Sequence, residues 1–178
     1  MNLIMLDEIL IFVALGTLAG LLAGMFGIGG GLIIVPVLIG TFISLGFDSE
    51  IVVHLAIGTA ISCIIFTGLS SANAHRAKKS IDFDHFKPVA TGIIFGALAG
   101  ALFAVQIDGS FLKLSIAIFV LLVGIQILFD IKISSKKIYP KKSESIFAGS
   151  IIGFLSSILG IGGGTFSVPY FRASGLRL

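Results

Sequence analysis

The 178-residue chain has no tryptophan, a single cysteine, four prolines and only 12% charged residues against 56% hydrophobic ones. Soluble domains carry about 25% charged residues. That scarcity, with a mean hydropathy of +1.13, excludes water as the main solvent. The lone Cys63 lies within an apolar run, which excludes an intramolecular disulfide and a cysteine metal cluster and leaves the redox compartment open. No nucleophile, base and orienting group stand together, so there is no positive support for catalytic residues or an enzyme. No metal-ligand spacing occurs, and nothing in the pattern calls for a cofactor. The N-terminus, MNLIMLDEILIFVALG, lacks a basic leader region, and its apolar stretch runs past any cleavage site, so the first helix is expected to persist in the mature protein.

What the chain has instead is a series of apolar segments, at 9–26, 32–45, 51–73, 88–105, 111–129 and 146–159, with a seventh beginning after Gly164. Several approach or exceed the roughly 18 to 20 residues that cross a hydrocarbon core. With 23 glycines, 16 phenylalanines and no strict apolar/polar alternation, they predict an all-α integral membrane protein, a polytopic helical bundle. Its first partner is the lipid bilayer.

The formal net charge of +3 comes from two basic connectors. One, at 74–87, holds Arg76, Lys78, Lys79 and Lys87; the other, at 130–144, holds Lys132, Lys136, Lys137, Lys141 and Lys142. Basic residues gathered between apolar runs are a topology signal rather than a nucleic-acid surface, and they place both connectors in the cytoplasm. The segments between them then cross out and back, with the Asp108 and Gly109 turn outside. Counting upstream puts the Asp48 and Glu50 loop outside, and the N-terminus with it. Gly16, Gly20 and Gly24, like Gly92, Gly96 and Gly100, recur every four residues and are read as faces for close helix packing.

The chain also repeats itself. Gly16 to Pro36 reads GTLAGLLAGMFGIGGGLIIVP and Gly149 to Pro169 reads GSIIGFLSSILGIGGGTFSVP, with ten of twenty-one positions identical at an offset of 133. An odd number of crossings, three, separates the Asp48 loop from the second copy, so the copies have opposite orientation. Inverted repeats with glycine-interrupted helices meeting near the bilayer midplane are a design of secondary transporters. The expected organisation is a first repeat at 1–144 and the start of a second, truncated one at 145–178. A complete pair of repeats would run to roughly 266 residues.

Each GIGGG separates two apolar segments, because glycine lets the backbone turn at positive φ and approach neighbours closely. Segment 32–45 is about 21 Å long at about 1.5 Å per residue, so both a re-entrant hairpin and a tight turn at the membrane surface fit. Where a helix resumes after Gly31 or Gly164, exposed N–H groups and the positive dipole end can seat an anion. No Asp, Glu, Lys or Arg lies inside the apolar segments away from their ends, which disfavours a cationic substrate. Hydroxyls of Thr59, Ser62 and Thr165 could assist, or could simply bond to their own helix. His54, near the outer end of its helix, is a candidate for coupling to a proton, with a plain interfacial histidine as the alternative. His75 and His85 fall in a connector and are read as solvated.

The runs AGLLAGMFGIGGGLIIVPVL at Ala19 to Leu38, AIGTA at Ala56 to Ala60, HRAKKSIDF at His75 to Phe83 and GIGGGTFSVPYF at Gly160 to Phe171 resemble the sulfite exporter TauE/SafE family. The resemblance covers nearly the whole chain. It implies a multi-pass permease of a prokaryotic plasma membrane, transporting sulfite, sulfonates or related small organosulfur anions, with a coupling proton or ion. The matching positions are Gly27, Gly29, Gly30 and Gly31 with Pro36, then Gly58 and Thr59, and then Gly160, Gly162, Gly163 and Gly164 with Pro169, to which the hydroxyl of Thr165 is added. These are the expected substrate-binding residues. The second counterpart of the AIGT helix start is missing, so the other expectation is an inactive fragment of such a permease.

Overall fold

The computed structural model describes residues 3–26, 30–77, 83–129 and 141–173. Among them there are seven helices and no strand: α1 (Leu3–Phe26), α2 (Gly31–Ser44), α3 (Ser49–Ala77), α4 (Phe83–Ala104), α5 (Gly109–Leu128), α6 (Lys142–Leu159) and α7 (Gly164–Ala173). The all-α reading of the sequence holds, and so do its apolar segments to within a few residues, apart from α1, which starts earlier. Most of the basic connectors, including Lys78, Lys79, Lys132, Lys136 and Lys137, lies outside the described residues.

Among the described residues three stretches, Ser49–Asn73, Phe86–Ala104 and Gly109–Leu128, are long and apolar enough to cross a membrane, with Ile9–Leu22 and Gly31–Ser44 as shorter apolar helices. Large apolar side chains cover the outside, among them Phe66, Phe95, Leu102, Leu121 and Leu128. In water such a surface would aggregate; in a bilayer it is the solvated surface.

Turn chemistry sets the helix order. Gly46, at φ 82°, closes the turn after α2. The Asp48 side chain accepts the Glu50 N–H at 3.0 Å to begin α3, and the Asp108 side chain caps α5 by accepting the Ser110 N–H at 2.7 Å. These two turns lie on one face of the bundle. His54 Nε2 is 3.3 Å from the Ala104 carbonyl oxygen at the end of α4, and a Cβ on Gly109 would be 2.8 Å from the Glu50 carbonyl. α3 and α5 therefore start together and run parallel, as the crossing count requires.

The buried core joins α2, α3 and α5: Leu32, Val35, Leu38, Ile39 and Phe42 pack on Val52, Val53, Ala56, Ile57 and Ala60, with Leu112 and Ile116 closing the third side. Leu159 and Ile161 complete it from the far end of α6.

α4 and α6 form a second unit built on glycine. A Cβ on Gly92 would land on the Ile146 carbonyl, on Gly96 on that of Ser150, and on Gly100 on the Phe154 backbone. Reciprocally, Gly149 meets Val89 and Gly153 meets Ile93. Partner numbers rise together, so the helices are parallel, with backbones as close as side chains permit. The α4 stripe is thus a packing face, as expected. The α1 stripe differs: a Cβ on Gly16, Gly20 or Gly24 would meet nothing within 4 Å.

Candidate functional site: the junction of the two glycine breaks

The two copies of the repeated segment approach each other from opposite faces. In the first, α1 and α2 form an antiparallel hairpin, with the rings of Phe12 and Phe42 6.2 Å apart, and Phe42 in tilted contact with Phe47 in the turn before Asp48 at 5.4 Å. α1 therefore starts toward the face that carries Asp48 and Asp108. In the second, α6 runs parallel to α4, which ends on that same face, so α6 enters from the other one. The copies are inverted.

Their breaks meet. A Cβ on Gly31 would be 2.6 Å from the Gly160 carbonyl oxygen, 2.8 Å from Ile161 Cα and 2.9 Å from Gly162 N. Only a residue without a side chain allows the start of α2 to rest on the backbone of the second GIGGG. α3 forms the adjoining wall: a Cβ on Gly160 would be 3.1 Å from Ile57 Cα, and one on Gly162 3.3 Å from Ile64 Cδ1. Ile57 and Ile64 lie on either side of the middle of the Ser49–Asn73 span. The contact thus falls at mid-span, and α2, with 14 residues or about 21 Å, is too short to cross a core of about 30 Å. Of the two readings of GIGGG, the short α2 and the mid-span contact suit the re-entrant hairpin, while α1, with 24 residues, is itself long enough to cross.

The second break is held in shape. Gly160 ends α6 in the left-handed region at φ 66°, the Ile161 N–H donates to the Ser156 carbonyl at 3.1 Å, and the Ser156 hydroxyl donates to the Ile161 carbonyl. Backbone and side chain of one serine therefore clasp both sides of the turn. The equivalent position in the first copy is Ala23, which has no hydroxyl. Ser156→Ala is expected to cost about 1 kcal/mol and to speed hydrogen exchange at the Ile161 amide, read by mass spectrometry; an unchanged rate would show that the clasp does not hold the turn.

Both breaks lead into helix N-termini. In α2 the first helical bonds run from the Ile33 and Ile34 N–H groups to the Gly30 carbonyl, at 3.2 and 2.9 Å. In α7 they run from Phe166 and Ser167 to Gly163, at 3.2 and 2.8 Å, with Thr165 N–H to the Gly162 carbonyl at 3.3 Å. Preceding N–H groups have no acceptor within their own helix. Five residues beyond each last glycine, Pro36 and Pro169 lie inside α2 and α7. Lacking N–H groups, they cannot donate the helical bond to the carbonyl four residues earlier. The junction is therefore built of backbone dipoles rather than of charged side chains.

Among the expected site residues, Gly31, Gly160 and Gly162 touch across the junction, and Gly30, Gly163, Gly164 and Thr165 border it along the chain. Gly27 and Gly29 lie outside the described residues. Gly163, Gly164 and Gly58 have open space where a Cβ would be, and Pro36 is exposed. The Thr59 hydroxyl donates to the Leu55 carbonyl at 2.7 Å and that of Ser62 to Gly58 at 2.9 Å. These are bonds to their own helix, leaving oxygen lone pairs but no hydroxyl proton for a ligand. Sequence reasoning missed Ser156, Ile57, Ile64 and the Phe119–Phe166 ring pair at 4.9 Å; only the Ser156-for-Ala23 difference between copies was visible as a signal. The described residues contain no group of three His, Cys, Asp or Glu side chains suited to a metal.

A family model described as sulfite exporter TauE/SafE matches residues 12–178. The chain is 33% identical over 177 residues to a probable membrane transporter protein of Haemophilus influenzae, covering 98% of this chain and 66% of that protein. It is 29% identical to another in Bacillus subtilis, over 89% of this chain and 65% of the relative. A third, in Methanocaldococcus jannaschii, is 32% identical over 89% of this chain and 60% of the relative. The chain thus spans 60–66% of the length of these relatives. No solved structure matches it.

Proposed function

The chain belongs to the sulfite exporter TauE/SafE family, and from that premise we propose that it forms the larger part of a secondary permease for small anions such as sulfite, sulfonates or related organosulfur anions. The observation that carries the reading is the meeting of two inverted, glycine-broken hairpins halfway along α3. The N-terminus of α2 rests there on the backbone of the second break, which leads along the chain into α7, and neither GIGGG carries a charged side chain, a seat that favours an anion and binds it weakly enough to release it. The substrate-binding set is Gly27, Gly29, Gly30, Gly31, Pro36, Gly58, Thr59, Gly160, Gly162, Gly163, Gly164, Thr165 and Pro169. Residues 1–144 form the first repeat and 145–178 the opening of the second. The N-terminus faces outward in a prokaryotic plasma membrane, a placement supported by the basic connectors and by relatives from two bacteria and an archaeon. A coupling proton or ion drives transport, with His54 at the outer face as the candidate proton carrier.

Uptake of ³⁵S-sulfite into proteoliposomes tests this. The product of the full reading frame is expected to accumulate label, with competition by methanesulfonate and dependence on an imposed proton gradient or membrane potential. Uptake of cations or neutral solutes without sulfite or sulfonate movement would overturn the substrate class. Transport by a longer product but none by the 178-residue chain would make this chain an inactive fragment.

A further inference from the structure

We propose that the Gly16, Gly20 and Gly24 face of α1 is the seat of a further membrane helix, the repeat counterpart of α4, supplied by the same polypeptide beyond Leu178. The inference rests on the duplication and the helix packing, not on the transport reading.

The duplication maps Gly149 onto Gly16 and Gly153 onto Gly20. In the second copy, that pair is where α6 grips α4: each glycine lies so close to the α4 backbone, at Val89 and Ile93, that a Cβ would have no room. Among the described residues the same face of the first copy is empty. Gly16, Gly20 and Gly24 have no atom within 4 Å of a Cβ position, and around them Val13, Leu21 and Met25 are 60%, 61% and 80% exposed. One sequence feature is thus occupied in one copy and unoccupied in the other, and the occupied copy shows what the occupant is: a parallel helix with small residues four apart.

The topology leaves room for that helix and for its direction. α4 runs parallel to α6, so its counterpart would run parallel to α1, entering from the face that carries Asp48 and Asp108. By the 133-residue offset it would lie well past Leu178, and the relatives, 60–66% of whose length this chain spans, are long enough to hold such a segment. A second copy of this chain fits less well, because its α4, the one helix known to match such a face, is already held by its own α6.

The test places a photo-reactive benzoylphenylalanine at Thr17, an exposed position beside the stripe, in the product of the native reading frame, and irradiates it in membranes. The expected product is an internal cross-link from α1 to a peptide beyond Leu178, with no doubling of mass. Gly20→Ile should lower its yield at least about tenfold, because close backbone approach is what the stripe provides. The same change in the 178-residue chain should leave helicity and membrane insertion unchanged, since the added side chain meets nothing there. Cross-links at twice the mass would assign the face to a second copy, and cross-links to lipid alone would leave it a bilayer-facing surface; either overturns the proposal.

Discussion

Gly31→Val is expected to lower stability and, on the proposed permease reading, to abolish anion flux by the product of the full reading frame. The added Cβ would stand 2.6 Å from the Gly160 carbonyl oxygen and 2.8 Å from Ile161 Cα. Both are backbone atoms that no rotamer change can move aside. Overpacking of this kind typically costs about 1 to 3 kcal/mol, and here the strain falls on the contact that joins the two inverted copies. The informative companion is Gly163→Val. A Cβ at Gly163 meets nothing within 4 Å, so this variant should melt in detergent at the wild-type temperature, within the range of about 0.5 kcal/mol usual for changes in open positions. If the space beside Gly163 holds the anion, its flux should nevertheless fall at least about tenfold. A stable, fully active Gly31→Val would show that the breaks do not touch as described.

Gly96→Leu should produce the largest structural loss in the molecule. Three α4 glycines and two α6 glycines hold those helices at backbone contact, and a side chain at Gly96 would have to occupy the position of the Ser150 carbonyl. The helices would separate by several ångströms, and small-residue interfaces in membranes gain their stability from that approach, lacking a hydrophobic drive between apolar surfaces. A destabilisation of about 3 kcal/mol, the upper end for overpacking, is expected, read as a shift in unfolding by denaturing detergent and as new protease sites in α6. Gly124→Leu is the matched control. It lies on α5 with open space around it and should change stability by no more than about 0.5 kcal/mol. Similar losses from both variants would mean that glycine content, not the α4 to α6 contact, sets stability.

Much of this architecture was legible in the residues, and for specific reasons. Segment lengths and the basic connectors gave the helices and their alternation, because bilayer thickness and charge asymmetry act on sequence directly. The repeated GIGGG with its proline located both breaks, and an odd number of crossings gave their inversion, which the parallel runs of α3 with α5 and α4 with α6 reproduce. What sequence could not distinguish was which glycine stripe is filled. Gly16, Gly20 and Gly24 look the same as Gly92, Gly96 and Gly100, and only the packing partner, a long-range property, separates them. The helix hydroxyls were ambiguous for a related reason: Thr59 and Ser62 can face a ligand or their own carbonyls, and the local bond wins at both. The role of Ser156 depends on the left-handed turn at Gly160, which orients the Ile161 carbonyl toward it.

The central claim is that the junction of the two breaks is an anion seat reached from the aqueous phases. Thiol labelling of a single cysteine at Gly163, with Cys63→Ser removing the native thiol, tests it most directly, because the small side chain enters open space. In membranes containing the product of the full reading frame, maleimide should modify this cysteine, and methanesulfonate, an inert anion of the proposed class, should slow the reaction in a saturable manner. Labelling that ignores the anion, or no labelling from either side of the membrane, would reduce the junction to a packing contact and contradict the account.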